Sequence, residues 1–214
     1  MNFLAKDEPK VKFFDVFFPL GRTNRGWGLT PVTQEQALSL MGRYDVEQGL
    51  VYHTVARDCD PELGNKWLER LVNDRRLSLV WALETANVSE LISPEQIVQQ
   101  MAAKGVRAIL VNPLIRGIRI SHCRRLQSLA TLLASRQIPL LLFYRQWDRY
   151  EDLVDWYEVK EFCRQFPDLP VIVNEWRCRS NRPLLEALAG TENLFISLSF
   201  LPFLSLPFSS FHPF

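Results

Sequence analysis

The sequence predicts an α/β fold: an incomplete (β/α)8 barrel of about seven parallel strands with outer helices. Three observations predict it. Seven short apolar runs recur at start-to-start spacings of 37, 27, 31, 31, 31 and 24 residues, each long enough for a strand, a helix and two loops. The runs lack polar alternation, the pattern of strands covered on both faces. No Gly-x-Gly-x-x-Gly follows the first run and no P-loop occurs, which counts against a nucleotide-binding open sheet. A full eightfold barrel of the TIM type takes about 250 residues; with 214 this chain stops about one unit short.

Taken in order, FFDVFF (13–18), broken by Pro19 and Gly21, reads as the first strand. Thr33 and Gln36 form a capping box for the first helix. LVYHT (50–54) is the second strand, and Asp60-Pro61 opens a helix expected to carry Leu63, Trp67, Leu68 and Leu71 on one face. LSLVWALE (77–84) follows. Ser93-Pro94-Glu95-Gln96 then offers an N-cap, a proline at the first helical position and a capping-box glutamine, with Gly105 past the last turn. AILVNPL (108–114), PLLLFYR (139–145), PVIVNEW (170–176) and LFISLSF (194–200) are the remaining strands. Between them lie a helix after residue 121, with Ser121 as its expected N-cap, a helix after 150 and a short helix, PLLEALAG, ending at Gly190. Residues 1–200 thus form one barrel domain. Residues 201–214 form an atypical tail of Phe, Pro, Leu and Ser with one His. Three readings of the tail stay open: a membrane anchor opposed by its three prolines, a disordered or core-plugging segment, or a departure from the natural reading frame.

The formal net charge is +1, which gives no global case for nucleic acid or membrane partners. The basic residues are 19 Arg and only 6 Lys, and arginine grips planar oxyanions with two parallel bonds. The four cysteines form no Cys-x-x-Cys pair, so a zinc knuckle is not expected. The first twelve residues are too charged for a signal peptide. Reduced thiols in the cytoplasm are the simplest expectation.

FDVFFPLG at strand one, YHTVARDCDPELGN after strand two, KGVRAILVNP leading into strand four, PLLLFYRQ at strand five, FPDLPVIV at strand six and ENLFISLS at strand seven occur in that order. The ordered set resembles the amidohydrolase superfamily, in the branch of amidohydrolase-related or metal-dependent hydrolases, over residues 11–200. The resemblance implies a (β/α)8 barrel with one or two divalent metals, zinc or another, at its C-terminal mouth. It also implies an Asp-x-His-x-His signature at strand one. Alignment on Asp15 puts Phe17 and Pro19 where the histidines belong. Asn174 and Glu175 stand at the strand-six ligand position, Tyr144 and Arg145 at that of strand five, and no eighth strand brings an aspartate. Zinc hydrolysis needs about three protein ligands and an open position for water. The three histidines, 53, 122 and 212, match none of the ligand positions, so no metal or other cofactor is expected.

In a barrel the loops after the strands build the active face. Sorting charges by those loops gives ten arginines against six acidic residues, a surplus that suits a small carboxylate or phosphate. The candidates for binding are Arg57, Asn112, Arg116, Tyr144, Arg145 and Arg177. The candidates for acid–base work are His53, Glu84 and Glu175. Each has a plainer role open to it: a ring hydrogen-bonded to backbone for His53, a salt-bridge partner for either glutamate, a turn for Asn112-Pro113. Three functions remain. One is a barrel that has lost metal chemistry and binds a small anion. The second is a metal-independent hydrolase or decarboxylase of a small carboxylate. The third is a non-catalytic interaction protein, with the open edges of strands one and seven met by a homo-oligomer or by the tail.

Overall fold

The computed structural model describes residues 12–22, 30–85, 92–114, 116–144, 154–174 and 181–197. The sheet has seven strands: β1 (Phe13–Leu20), β2 (Val46–His53), β3 (Leu77–Ala82), β4 (Ala108–Val111), β5 (Leu140–Phe143), β6 (Val171–Asn174) and β7 (Leu194–Ser197). Their spatial order is their chain order, and every pairing is parallel. The connecting helices are α1 (Gln34–Arg43), α2 (Thr54–Asp58), α3 (Pro61–Leu71), α4 (Pro94–Lys104), α5 (Arg124–Ala134), α6 (Trp156–Gln165) and α7 (Asn181–Leu188). All seven expected strands are present, and the α/β fold is an incomplete (β/α)8 barrel.

The sheet curls on itself. The Phe17 ring of β1 lies 6.4 Å from the Phe143 ring of β5, a strand four places away in the order. Two apolar layers result. The inner one gathers Phe17, Leu50, Tyr52, Val80, Ala82, Leu110, Leu141 and Phe143. The outer one packs the other sheet face on the helices, with Leu140, Leu142, Val171, Val173 and Leu194 against Leu129, Leu133, Val159 and Phe162. Burial on both faces is why the strand runs carry no polar alternation.

The capping signals act as read. Thr33 with Gln36 and Ser93 with Gln96 make complete capping boxes, Asp60 accepts the Leu63 N–H, and Gly105 ends α4 with φ 70°. Two local expectations are corrected. The face of α3 that packs inward is Gly64, Asn65 and Leu68, while Leu63 and Trp67 are exposed. Gly64 lets α3 approach the α2 backbone, and Asn65 brackets the end of β3, donating to the Ala82 carbonyl (2.8 Å) and accepting the Ala82 N–H (3.0 Å). The N-cap of α5 is Cys123, with no side-chain bond, because the Ser121 hydroxyl donates instead to Glu158 of α6 at 2.6 Å.

β1 carries a bulge. Asp15 pairs with Gly49 and Phe18 with Val51, so three steps on β1 oppose two on β2. The Asp15 carboxylate accepts the Phe17 N–H at 2.9 Å, tying down the extra residue. Burial raises the pKa of this carboxyl, and the Phe17 N–H only partly offsets that.

Candidate functional site

The mouth is built at the C-terminal ends of the strands, and β2 contributes most to it. His53, its last residue, is buried and N-caps α2: its Nδ1 accepts the Val55 N–H at 3.1 Å. Its ring meets the Trp67 edge, with centroids 5.4 Å apart. Gly21 lies against its other nitrogen, where a Cβ would come within 2.8 Å of Nε2. Gly21 also has φ 104°, so this close approach requires glycine. Burial holds the imidazole pKa below its ordinary value. With Nδ1 accepting, the neutral ring carries its proton on Nε2.

The five-residue α2 carries Arg57 into the mouth. The guanidinium donates from Nε and Nη2 to the two oxygens of Asp58 (2.6 and 2.5 Å) and from Nη1 to the Tyr52 hydroxyl (3.0 Å). It lies over the Phe143 ring, 4.6 Å from the centroid. Arg57 is only 8% exposed. Burial opposes its charge, yet the Asp58 and Tyr52 bonds outweigh that and hold its pKa above the ordinary arginine value. Tyr52, buried beneath, has its pKa raised by desolvation.

Arg116 and Glu84 come together, Nη1 to Oε2 at 3.1 Å, and Arg116 also reaches the Ala56 carbonyl at 3.5 Å. Arg119 reaches Asp155 and Glu158 at 3.4 and 3.6 Å. The surplus of arginine read from the loops is thus largely neutralised pair by pair where it is described. Asn112 is buried just past β4, and its carbonyl accepts the Arg116 N–H at 3.1 Å. Asn174 ends β6 in register with Phe143 and Ser197; its Oδ1 is buried with no partner among the described residues. Tyr144 turns away from the mouth. It follows Leu140 and Leu142 in the outer, helix-facing layer, where burial raises its pKa, so it does not line the site. Glu175, Arg145 and Arg177 lie outside the described residues, as do residues 201–214.

The residues present do not fit a divalent metal. Pro19 pairs with the inward-facing Tyr52, so Phe17 and Pro19 both occupy inner positions of β1, and neither can ligate. Among the described residues no three His, Cys, Asp or Glu side chains lie together as a ligand set. Sequence reasoning missed Asp58 and Tyr52 as the holders of Arg57. Their signal was the spacing Tyr52–Arg57, one turn of helix past a strand end. Clefts in the described surface lie at the opposite end, one of them lined by Cys163, Pro167, Thr191 and Asn193, among loops that in this architecture mainly stabilise. Burial there pushes the Cys163 thiol up to about 12. Among the described residues no helix is long and apolar enough to cross a membrane.

No family model matches the chain, and no curated protein matches it. Solved structures do. An uncharacterized TIM-barrel protein from Bordetella bronchiseptica is 14% identical with a TM-score of 0.58, over 77% of this chain and 58% of that one. Dihydroorotase from Campylobacter jejuni is 14% identical with a TM-score of 0.53, over 86% of this chain and 52% of that one. A protein of Acinetobacter baumannii assigned as a 2-pyrone-4,6-dicarboxylic acid hydrolase, with citric acid bound, is 10% identical with a TM-score of 0.58, over 87% and 69%. The chain therefore spans little more than half the length of the first two. At these identities the likeness is one of fold alone, that of a TIM-type barrel.

Proposed function

We propose that this chain is an amidohydrolase-like barrel that has lost metal-dependent hydrolysis and binds a small carboxylate anion at its mouth. The carrying observation is the filling of the lumen. Phe17 stands at an inner position of β1 and packs toward Phe143, and the Arg57 guanidinium closes over the same ring. Hydrocarbon and one fixed cation take the space in which a metal and its water would sit. An arginine has five N–H donors; Arg57 uses three on Asp58 and Tyr52. Two N–H groups on Nη1 and Nη2 have no bond to a described residue, and a carboxylate matches that edge. The neighbour with citric acid bound favours the same ligand chemistry. His53 and Glu84 are engaged with the Val55 N–H and with Arg116, which does not favour a metal-independent hydrolase.

Calorimetric titration with citrate tests the mouth. Saturable binding is expected, weakened about tenfold in Arg57→Lys, which keeps the charge and loses the fork. Absence of citrate binding, or equal affinity in the variant, defeats the assignment. Stoichiometric zinc in the purified protein would separately overturn the loss of metal chemistry.

A further inference from the structure

At the mouth, the inner face of β6 ends in a polar side chain that stands outside the Arg57 cluster. Along this strand Val171 and Val173 pack into the outer, helix-facing layer, and Ile172 packs on the inner one. Side chains alternate along a strand, so Asn174 shares the inner face with Ile172. It lies opposite Phe143 of β5, whose ring the Arg57 guanidinium covers at 4.6 Å. Asn174 is only 3% exposed, and its Oδ1 has no hydrogen-bond partner among the described residues. The Phe143 side chain beside it has no donor to give. A buried amide oxygen left unpaired costs free energy, and nearly all such oxygens are bonded. Two unmet groups thus border one aromatic ring. One is the pair of spare N–H groups on Arg57. The other is an acceptor on the next strand, about 4.8 Å across the sheet.

We infer, on the reading of the mouth as a carboxylate site, that Asn174 accepts a hydrogen bond from a hydroxyl of the ligand, which is therefore a hydroxy acid. An ammonium could also donate to Oδ1. It carries three donors, however, and the hydrocarbon of Phe143 and Ile172 around that oxygen would leave the other donors buried without acceptors. A hydroxyl brings one donor and no charge. Placed one or two carbons from a carboxylate, it spans about the distance between neighbouring strands.

Calorimetric titration of the full-length chain with citrate and with propane-1,2,3-tricarboxylate, which is citrate without its hydroxyl, tests this. Wild type is expected to prefer citrate about tenfold. In Asn174→Leu, a change of similar volume, the preference is expected to vanish while affinity for the tricarboxylate is kept. In Arg57→Lys both acids are expected to weaken alike and the preference to persist. Equal affinity for the two acids in wild type overturns the role of Asn174 and leaves the carboxylate site standing; this comparison needs no variant. A preference that survives in Asn174→Leu overturns it too, because another group then reads the hydroxyl. Binding of neither acid overturns both proposals.

Discussion

Gly64→Ala should destabilise the protein because of where α3 sits. A Cβ on Gly64 would lie 2.1 Å from the Ala56 nitrogen and 2.5 Å from its Cα and Cβ. Restoring ordinary contact at 3.4 Å requires α3 to retreat from α2 by about 1.3 Å. The helix is not free to do so, because Asn65 holds both backbone groups of Ala82 and Leu68 is fully buried. Overpacking costs about 1–3 kcal/mol, and a clash with backbone belongs at the upper end. Alanine returns about 1 kcal/mol of helix propensity, leaving a net loss of about 2 kcal/mol, or about 4–8 °C in Tm for a chain of this size. Gly42, in α1, has nothing within 4 Å of its would-be Cβ. Gly42→Ala should therefore raise Tm by about 1–4 °C through propensity alone. Calorimetry on the two variants must give opposite signs. A Gly64→Ala protein as stable as wild type would refute the close approach of α2 and α3, and with it the placement of Arg57.

Asp58→Ala leaves the Arg57 guanidinium buried without its counter-ion and should cost about 3–5 kcal/mol by urea melts; a loss under about 1 kcal/mol would mean the pair is open to water. Asp15→Asn keeps an oxygen for the Phe17 N–H and removes a half-buried, partly desolvated charge, so it should stabilise the protein at pH 7. Because the folded pKa of Asp15 is raised, wild type regains that difference as pH falls through the folded value, and the advantage of asparagine should shrink in acid. His53 has the opposite dependence. Its folded pKa is below 6.5, so the unfolded chain binds the proton first, and stability should fall as pH drops through about 6.5 toward the folded value. Protonation also puts a hydrogen on the Nδ1 that caps α2. His53→Asn, which keeps a capping oxygen, should lose this acid sensitivity, and an unchanged pH profile would show that the ring does not cap.

The strands were legible because each is a short apolar run between turn residues, and the helix starts because Thr33, Asp60 and Ser93 are side-chain caps of ordinary type. What was hidden has physical causes. α2 follows its strand without a gap, so no separate helix start marks it, although the backbone bond open to His53 is the one its ring makes with the Val55 N–H. Tyr144 was expected at the mouth because LLLFY is apolar on both faces, and a run without alternation does not reveal its parity. The pairing of Arg116 with Glu84 joins residues of different loops. That of Arg57 with Asp58 joins neighbours whose side chains diverge on an ideal helix, and only the reach of arginine closes it. Asp15 was visible as a carboxylate, but its work on the bulge depends on register, which the sequence of one strand does not contain.

The strand order bears on how the chain comes to be folded. Among the described residues each hydrogen-bonded strand pair joins neighbours along the chain. A closed barrel waits for its last strand to reach its first, a contact across nearly the whole length. Here each loop to be closed spans about 30 residues, so the entropic cost of every step is similar and modest. A chain leaving the ribosome can add one strand–helix unit at a time to the sheet already present.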